Sequence, residues 1–212
     1  MIKQARINFV DLPDEEPDSI LGQYTGAGVI FGATGGVMEA ALRTVADILT
    51  GKDLENFEYN DVRGLEGVKE ASLVLPIDGK DTEVRVAVAH GTANAAKVLD
   101  AVKKGEKEYH FIEVMACPGG CVHGGGQSHV SAKKRLDVNP KAKRADALYE
   151  LDKSLPLRKS HKNPEVIKLY EEFLKEPNSH ISHKYLHTHY YKRNSYELAE
   201  QEEYDKLIVK LK

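Results

Sequence analysis

Cysteine occurs twice in the chain, at Cys117 and Cys121, within the stretch VMACPGGCVHGGG that spans residues 114–126. Pro118, Gly119 and Gly120 between the thiols bar a continuing helix. They let the loop fold around an object, with backbone N–H groups aimed at it. Sulfur accompanied by backbone donors is the setting of an iron–sulfur cluster, where hydrogen bonds to sulfide tune the potential. An ordinary cubane takes four thiolates, and this chain offers two. Three other uses stay open at this level. A disulfide is disfavoured in a reducing cytosol. Zinc held by Cys117, Cys121 and two histidines, such as His123 and one from the tail, has no need of so many glycines. A redox or nucleophilic pair more often has the spacing C-x-x-C than C-x-x-x-C. Met115, taken alone, reads as a core methionine.

FGATGG at residues 31–36 is a second glycine loop. In an open α/β sheet, ligands collect in the crevice beyond the carboxyl ends of the strands. Both loops are expected to leave such ends. Glycine lets backbone N–H groups approach a bulky or anionic ligand. Neither loop is a nucleotide fingerprint: G-x-G-x-x-G would need glycine where Phe31 stands, and no Gly-Lys-Ser/Thr follows for a Walker loop. The histidines His180, His183, His187 and His189 gather in HISHKYLHTHYY. Among tyrosines, such histidines more often pack and hydrogen-bond than bind metal.

The elements that must carry these loops follow from periodicity. ARINFV (5–10) suggests a short strand, and VIF (29–31) a second, running into the glycine turn. Val37, Met38, Ala41, Leu42, Val45 and Leu49 recur at helical spacing, and Gly51 stops that helix. Arms at 71–77 and 82–90 around Asp78-Gly79 read as a hairpin. TANAAKVLDAVKKG (92–105) reads as an amphipathic helix capped by Thr92 and stopped by Gly105, and 108–115 as the next strand. Strand, helix and strand in that order form a parallel βαβ unit, so the expected class is α/β with a partly parallel sheet flanked by helices. Past residue 130 the pattern turns helical, over roughly 140–153, 164–175 and 195–211, with no strand signal. The expected organisation is an α/β lobe over 1–135 and a helical extension over 136–212.

Composition excludes several classes. Of 212 residues, 41% are hydrophobic, enough for one core, and the net charge of −3 comes from interleaved acids and bases with no basic stripe for nucleic acid. No apolar run reaches the roughly 18–20 residues of a membrane span, and the N-terminus lacks a signal-type apolar core. The expectation is a soluble cytoplasmic protein that meets neither membrane nor nucleic acid.

FIEVMACPGGCVHGGGQ (111–127) strongly resembles the third signature of the iron-only (FeFe) hydrogenase catalytic domain, E-x-M-A-C-x-G-G-C-x-x-G-G-G-Q. TGAGVIFGATGGVMEAALRT (25–44) is similar to an upstream glycine segment of that family, and LYEEFLKEPNSHISHKYLHTHYYKR (169–193) resembles the tail that some members encode as a small subunit. The resemblance implies an H-cluster, a four-iron cubane joined through a cysteine sulfur to a two-iron unit, and reversible reduction of protons to H2. It implies that Cys117 is a cubane ligand and that Cys121 bridges the two parts. Met115 would wall the two-iron unit, Phe31 and Gly32 would line the pocket, and Gly119 and Gly120 would give the loop its close backbone approach.

The departure from the family pattern is large. Two upstream signatures, of the types T-S-C-C-P and M-P-C-x-x-K-x-x-E, are absent, and with them two cubane cysteines, a proton-relaying cysteine and a lysine. The chain therefore resembles the C-terminal half of the catalytic domain. It is expected to need an N-terminal half or a subunit carrying it, and to receive electrons indirectly from ferredoxin or another carrier. Alternative readings are an iron–sulfur assembly scaffold of the Nar type, whose members carry a similar stretch, and an inactive cluster-binding or interaction fragment.

Overall fold

The computed structural model describes residues 1–16, 22–77 and 79–188. Strand β2 (Lys80–His90) is central. It pairs antiparallel with β1 (Val68–Ile77) and parallel with β3 (Phe111–Met115), giving the order β1-β2-β3. The α/β class follows. Side chains alternate across a strand, and β2 uses both of its faces. Val84, Val86 and Val88 pack with Met38, Leu42 and Ala46 of α2 (Gly36–Thr50), while Ala87 and Ala89 pack with Ala95 and Val98 of α3 (Thr92–Lys103). The small alanines let α3 come close. The valines on the other face are β-branched and fill the wider gap to α2. Each fully buried side chain there, such as Met38 or Val88, contributes roughly 1.5–3 kcal/mol.

The hairpin register pairs Ile77 with Lys80, which leaves two residues for the turn. Asp78 of that turn lies outside the described residues. Helix α2 ends at Thr50, as the spacing predicts. α3 differs in one detail. Thr92 is its first helical residue rather than its cap, a position taken by Gly91, whose N–H donates to Met115 O at 2.8 Å. The start of α3 is thereby tied to the end of β3.

Two expected strands are not strands. Residues 9–11 form a single 3-10 turn, and every residue from 1 to 16 is exposed. These residues pair with neither edge of the sheet, so the β propensity of Ile7, Phe9 and Val10 has nothing to satisfy it. VIF is likewise displaced: residues Gly26–Ile30 form α1, capped by Thr25, whose Oγ1 accepts from Gly28 N at 3.1 Å. Ala27 and Ile30, three apart, share its buried face. The glycine loop at 31–36 therefore leaves a helix, not a strand end. α1 packs on α5 (Pro140–Ser154), which follows the short α4 (Ala132–Asp137). That contact overrides the local preference of Val29 and Ile30.

One flank of α2 is ionic. Arg43 is fully buried and donates to Asp152 from both terminal nitrogens at 2.9 Å, and to Glu39 at 2.7 Å. Glu39 also accepts from Arg63, and Asp152 from Arg158 at 2.6 Å. Nearby, Lys159 Nζ donates to Asp47 at 2.7 Å. The Phe57 ring lies under the cations of Arg43, Arg158 and Lys159 at 4.8–5.2 Å. Burial pushes the Asp152 carboxyl up, and hydrogen bonds from Arg43 and Arg158 outweigh it, leaving the group below the ordinary carboxylate value. This cluster binds α5 and the segment after it to α2.

The chain parts into compact units at Met1–Ile167 and Lys168–Lys212. Helix α6 (Pro164–Leu169) continues as a π-helical turn over Tyr170–Leu174. In the second unit α7 (His180–Leu186) is capped by Ser179, and the Phe173 and Tyr185 rings lie 5.3 Å apart. The expected helix over 195–211 and His189 lie outside the described residues. Among the described residues no helix is long and apolar enough to cross a membrane.

Candidate functional site

The two glycine loops meet. β3 runs out at Met115, and the chain then turns through the cysteine segment into a 3-10 turn at Cys121–His123. Thr34 N donates to Gly119 O at 3.1 Å, and Val122 N donates to Gly32 O at 3.0 Å, so each loop satisfies the other's backbone. Within the cysteine loop, Gly120 N donates to Cys117 O at 2.9 Å and Gln127 Nε2 to Cys121 O at 3.2 Å.

Gly120 is required where it stands. Its φ of 91° lies in the left-handed region, and a Cβ there would come within 2.8 Å of Gly32 O and Thr34 N and 2.9 Å of Met115 Sδ. That contact brings Met115, Gly120 and Gly32 together. Gly119 and Gly120 are buried, Met115 and Gly32 are half-buried, and Phe31 is 44% exposed at the rim. Cys117 and Cys121 are free thiols, both exposed. The disulfide alternative is thus not what the loop forms. For the zinc alternative, no three His, Cys, Asp or Glu side chains cluster among the described residues. His183 and His187 stack with centroids 4.5 Å apart.

Three residues that hold these loops escaped the sequence reading. Glu113, buried on β3, accepts from Gly35 N at 2.6 Å and from Met38 N at 2.7 Å. It caps α2 from a strand, placing negative charge at a helix N-terminus where the free N–H groups and the dipole favour it. An acid in an apolar strand two residues before Met115 was the available signal. Arg144 of α5 donates to Val122 O at 3.0 Å and to Ser128 O at 2.6 Å, bracing the cysteine loop from outside. Lys69 of β1, only 5% exposed, donates from Nζ to Thr34 O at 3.0 Å and to Gly64 O at 2.9 Å. Burial lowers its pKa to about 8, against the opposing pull of the Glu113 and Glu66 carboxylates.

Fold and site together define a class: an α/β lobe that presents a pair of free thiols on a glycine-rich loop. Residues 1–125 match the family model described as iron only hydrogenase large subunit, C-terminal domain, and residues 138–193 match that of the iron hydrogenase small subunit. The chain belongs to the iron-only hydrogenase large-subunit family. It is 49% identical over 193 residues to the NADP-reducing hydrogenase subunit HndD of Solidesulfovibrio fructosivorans, covering 91% of this chain and 32% of that protein. An FeFe-hydrogenase HydA1 variant from Chlamydomonas reinhardtii superposes with a TM-score of 0.61 at 40% identity, covering 89% of this chain and 52% of that one. Protein NAR1 of Arabidopsis thaliana is more distant, 33% identical over 195 residues, or 90% of this chain and 40% of that protein. The chain thus spans only a third to two-fifths of these curated relatives' length. Membership of the family implies an iron–sulfur cofactor.

Proposed function

We propose that the chain supplies half of an H-cluster site, with Cys117 as a cubane ligand and Cys121 as the cysteine whose sulfur is shared with a two-iron unit. The observation that carries this reading is the pair of free, exposed thiols on a loop that two backbone hydrogen bonds pin to the FGATGG loop. The donor chemistry fits such a group. Soft sulfur ligands suit iron–sulfur clusters, and Gly120 lets the cysteine loop lie close against residues 32–34 while both sulfurs stay on the exposed side. When bound, the cluster supplies the reversible conversion of two protons and two electrons to H2.

This chain's residues do the remaining work. Met115 and Phe31 wall the site with apolar surface and exclude water, and Gly32 lies beside them. Gly119 and Gly120 keep the cysteine loop tight against residues 32–34. The other ligands come from a complementary segment, the N-terminal half of the catalytic domain or a subunit carrying it. Electrons arrive through that partner from ferredoxin or another carrier. Exposure of Phe31, Cys117 and Cys121 in the chain by itself supports a site completed by that segment.

Anaerobic co-expression with the complementary segment and maturation proteins tests the reading. Hydrogen evolution is expected, and Cys121→Ala should abolish it while leaving the fold intact. Activity that survives Cys121→Ala overturns the proposal. The similarity to Protein NAR1 favours one alternative, an assembly scaffold. Infrared bands of carbonyl and cyanide ligands on the loaded protein support the enzyme, and a plain cubane signal supports the scaffold.

A further inference from the structure

Lys69 is a buried cation outside the ionic cluster beside α2. Its neighbours are unusual for a lysine. Nζ donates to two main-chain carbonyls, Thr34 O and Gly64 O, and among the described residues it makes no ion pair within 4.0 Å. The carboxylates that face it are Glu113 of β3 and Glu66 just before β1. Both Glu113 oxygens are already taken, one by Gly35 N and the other by Met38 N. The lysine therefore spends its charge on backbone dipoles. Burying an ammonium is costly unless its partners are well placed, and hydrogen bonds from a charged donor are roughly twice as strong as neutral ones.

Where those bonds lead is informative. Thr34, whose carbonyl Lys69 holds, donates its own N–H to Gly119 O, and two residues earlier Gly32 O accepts from Val122 N. Gly120 packs against the Gly32 carbonyl and the Thr34 nitrogen. The chain from ammonium to cysteine loop is thus two hydrogen bonds long and passes through a single peptide segment. Every link joins stretches far apart in sequence: β1 to residues 32–34, and residues 32–34 to 119–122.

We propose that Lys69 is a positioning residue for the thiolate loop: its ammonium fixes residues 32–34 as the seat of Gly119–Val122 and holds a positive charge two hydrogen bonds away from the cysteine loop. The proposal rests on the cluster-binding reading above. It assigns the lysine two separable effects, a local mechanical one on the loop and an electrostatic one on whatever the thiolates hold. A cation near an iron–sulfur centre favours its reduced, more negative form.

Hydrogen exchange on the full chain, without iron, measures the first effect. In Lys69→Met, the Thr34 and Val122 amides should exchange about tenfold faster, while Val86 and Val88 in β2 keep wild-type protection. Lys69→Arg should restore the Thr34 and Val122 rates to within about threefold of wild type. Lys69→Gln serves if the methionine variant does not fold. The second effect is read in the chain joined to its complementary segment and reconstituted with iron and sulfide. At a fixed potential near the wild-type midpoint, the ratio of reduced to oxidised cluster by electron paramagnetic resonance should fall about fivefold in Lys69→Met. It should stay unchanged in Lys107→Met, where the lost lysine is exposed and pairs with Glu70. Unchanged exchange at Thr34 and Val122 in a folded variant overturns the proposal. So does acceleration spread evenly through β2, which would mean a general stabilising role, and so does an unshifted cluster ratio. If wild type takes up no cluster, the half-site reading fails with it. Loop exchange in the iron-free chain still decides whether Lys69 is the clamp.

Discussion

Helix α2 borders two regions made of different materials. Along its flank, Glu39, Arg43, Glu58, Arg63, Asp152 and Arg158 form a set in which side-chain charges meet side-chain charges, and Arg43, Glu39 and Asp152 are fully buried. At its N-terminus the connections run through backbone: Gly35 and Met38 N–H groups on Glu113, the Thr34 carbonyl on Lys69, and Thr34 and Gly32 on the cysteine loop. The ionic flank is complete within the chain. The loop region is internally satisfied on one side and ends in two free thiols on the other. Charge clusters suit a joint that must stay shut, since removing one partner strands the others. Backbone and glycine suit a surface that must follow the outline of something else, because they add no bulk.

That contrast can be broken in order of size. Arg43→Met leaves Glu39 and Asp152 buried with one cation fewer, and should cost about 3–5 kcal/mol of unfolding free energy in denaturant titration. A loss under about 1 kcal/mol would show that the flank is not the joint. Gly120→Ala forces a left-handed conformation on a residue with a side chain, and its Cβ meets main-chain atoms. The expected loss is about 2 kcal/mol, with iron uptake during anaerobic reconstitution reduced more than stability. Equal uptake by this variant and wild type would erase the distinction between the two regions.

The smallest effect is that of mild acid. Asp152 and Asp47 are both held below their ordinary value of 3.8: burial raises them, and hydrogen bonds from Arg43 and Arg158, or from Lys159 and the Leu54 N–H, outweigh it. A depressed carboxylate contributes stability that is complete above its unfolded pKa and lost as pH falls through its folded one. Between pH 7 and 5 these two groups should therefore change the unfolding free energy by less than about 0.5 kcal/mol, with the decline setting in only below about pH 4. A steep loss already at pH 5 would mean that the flank is not paired as described.

Much of the framework was legible beforehand. The helix over Gly36–Thr50, the hairpin, the parallel pairing of β2 with β3 and the loop carrying Cys117 and Cys121 all follow local rules. Helical spacing, period-two alternation and glycine at left-handed positions are properties of short windows. The misread segments were those whose local preference was weak beside their surroundings. VIF has strand-forming residues, but Thr25 caps it as a helix and α5 covers it. ARINFV has the composition of a strand and pairs with neither edge of the sheet.

The sequence by itself determined which atoms can do chemistry: two thiols, a methionine and two glycine loops, because side-chain identity and φ preference belong to single residues and short windows. Only the tertiary structure decided what holds them. The Lys69 bond to Thr34 spans 35 positions and the Glu113 bonds to Gly35 and Met38 span 78 and 75. No window of local periodicity reaches so far. A buried lysine or glutamate declares its partner only when the chain has closed around it and water can no longer serve.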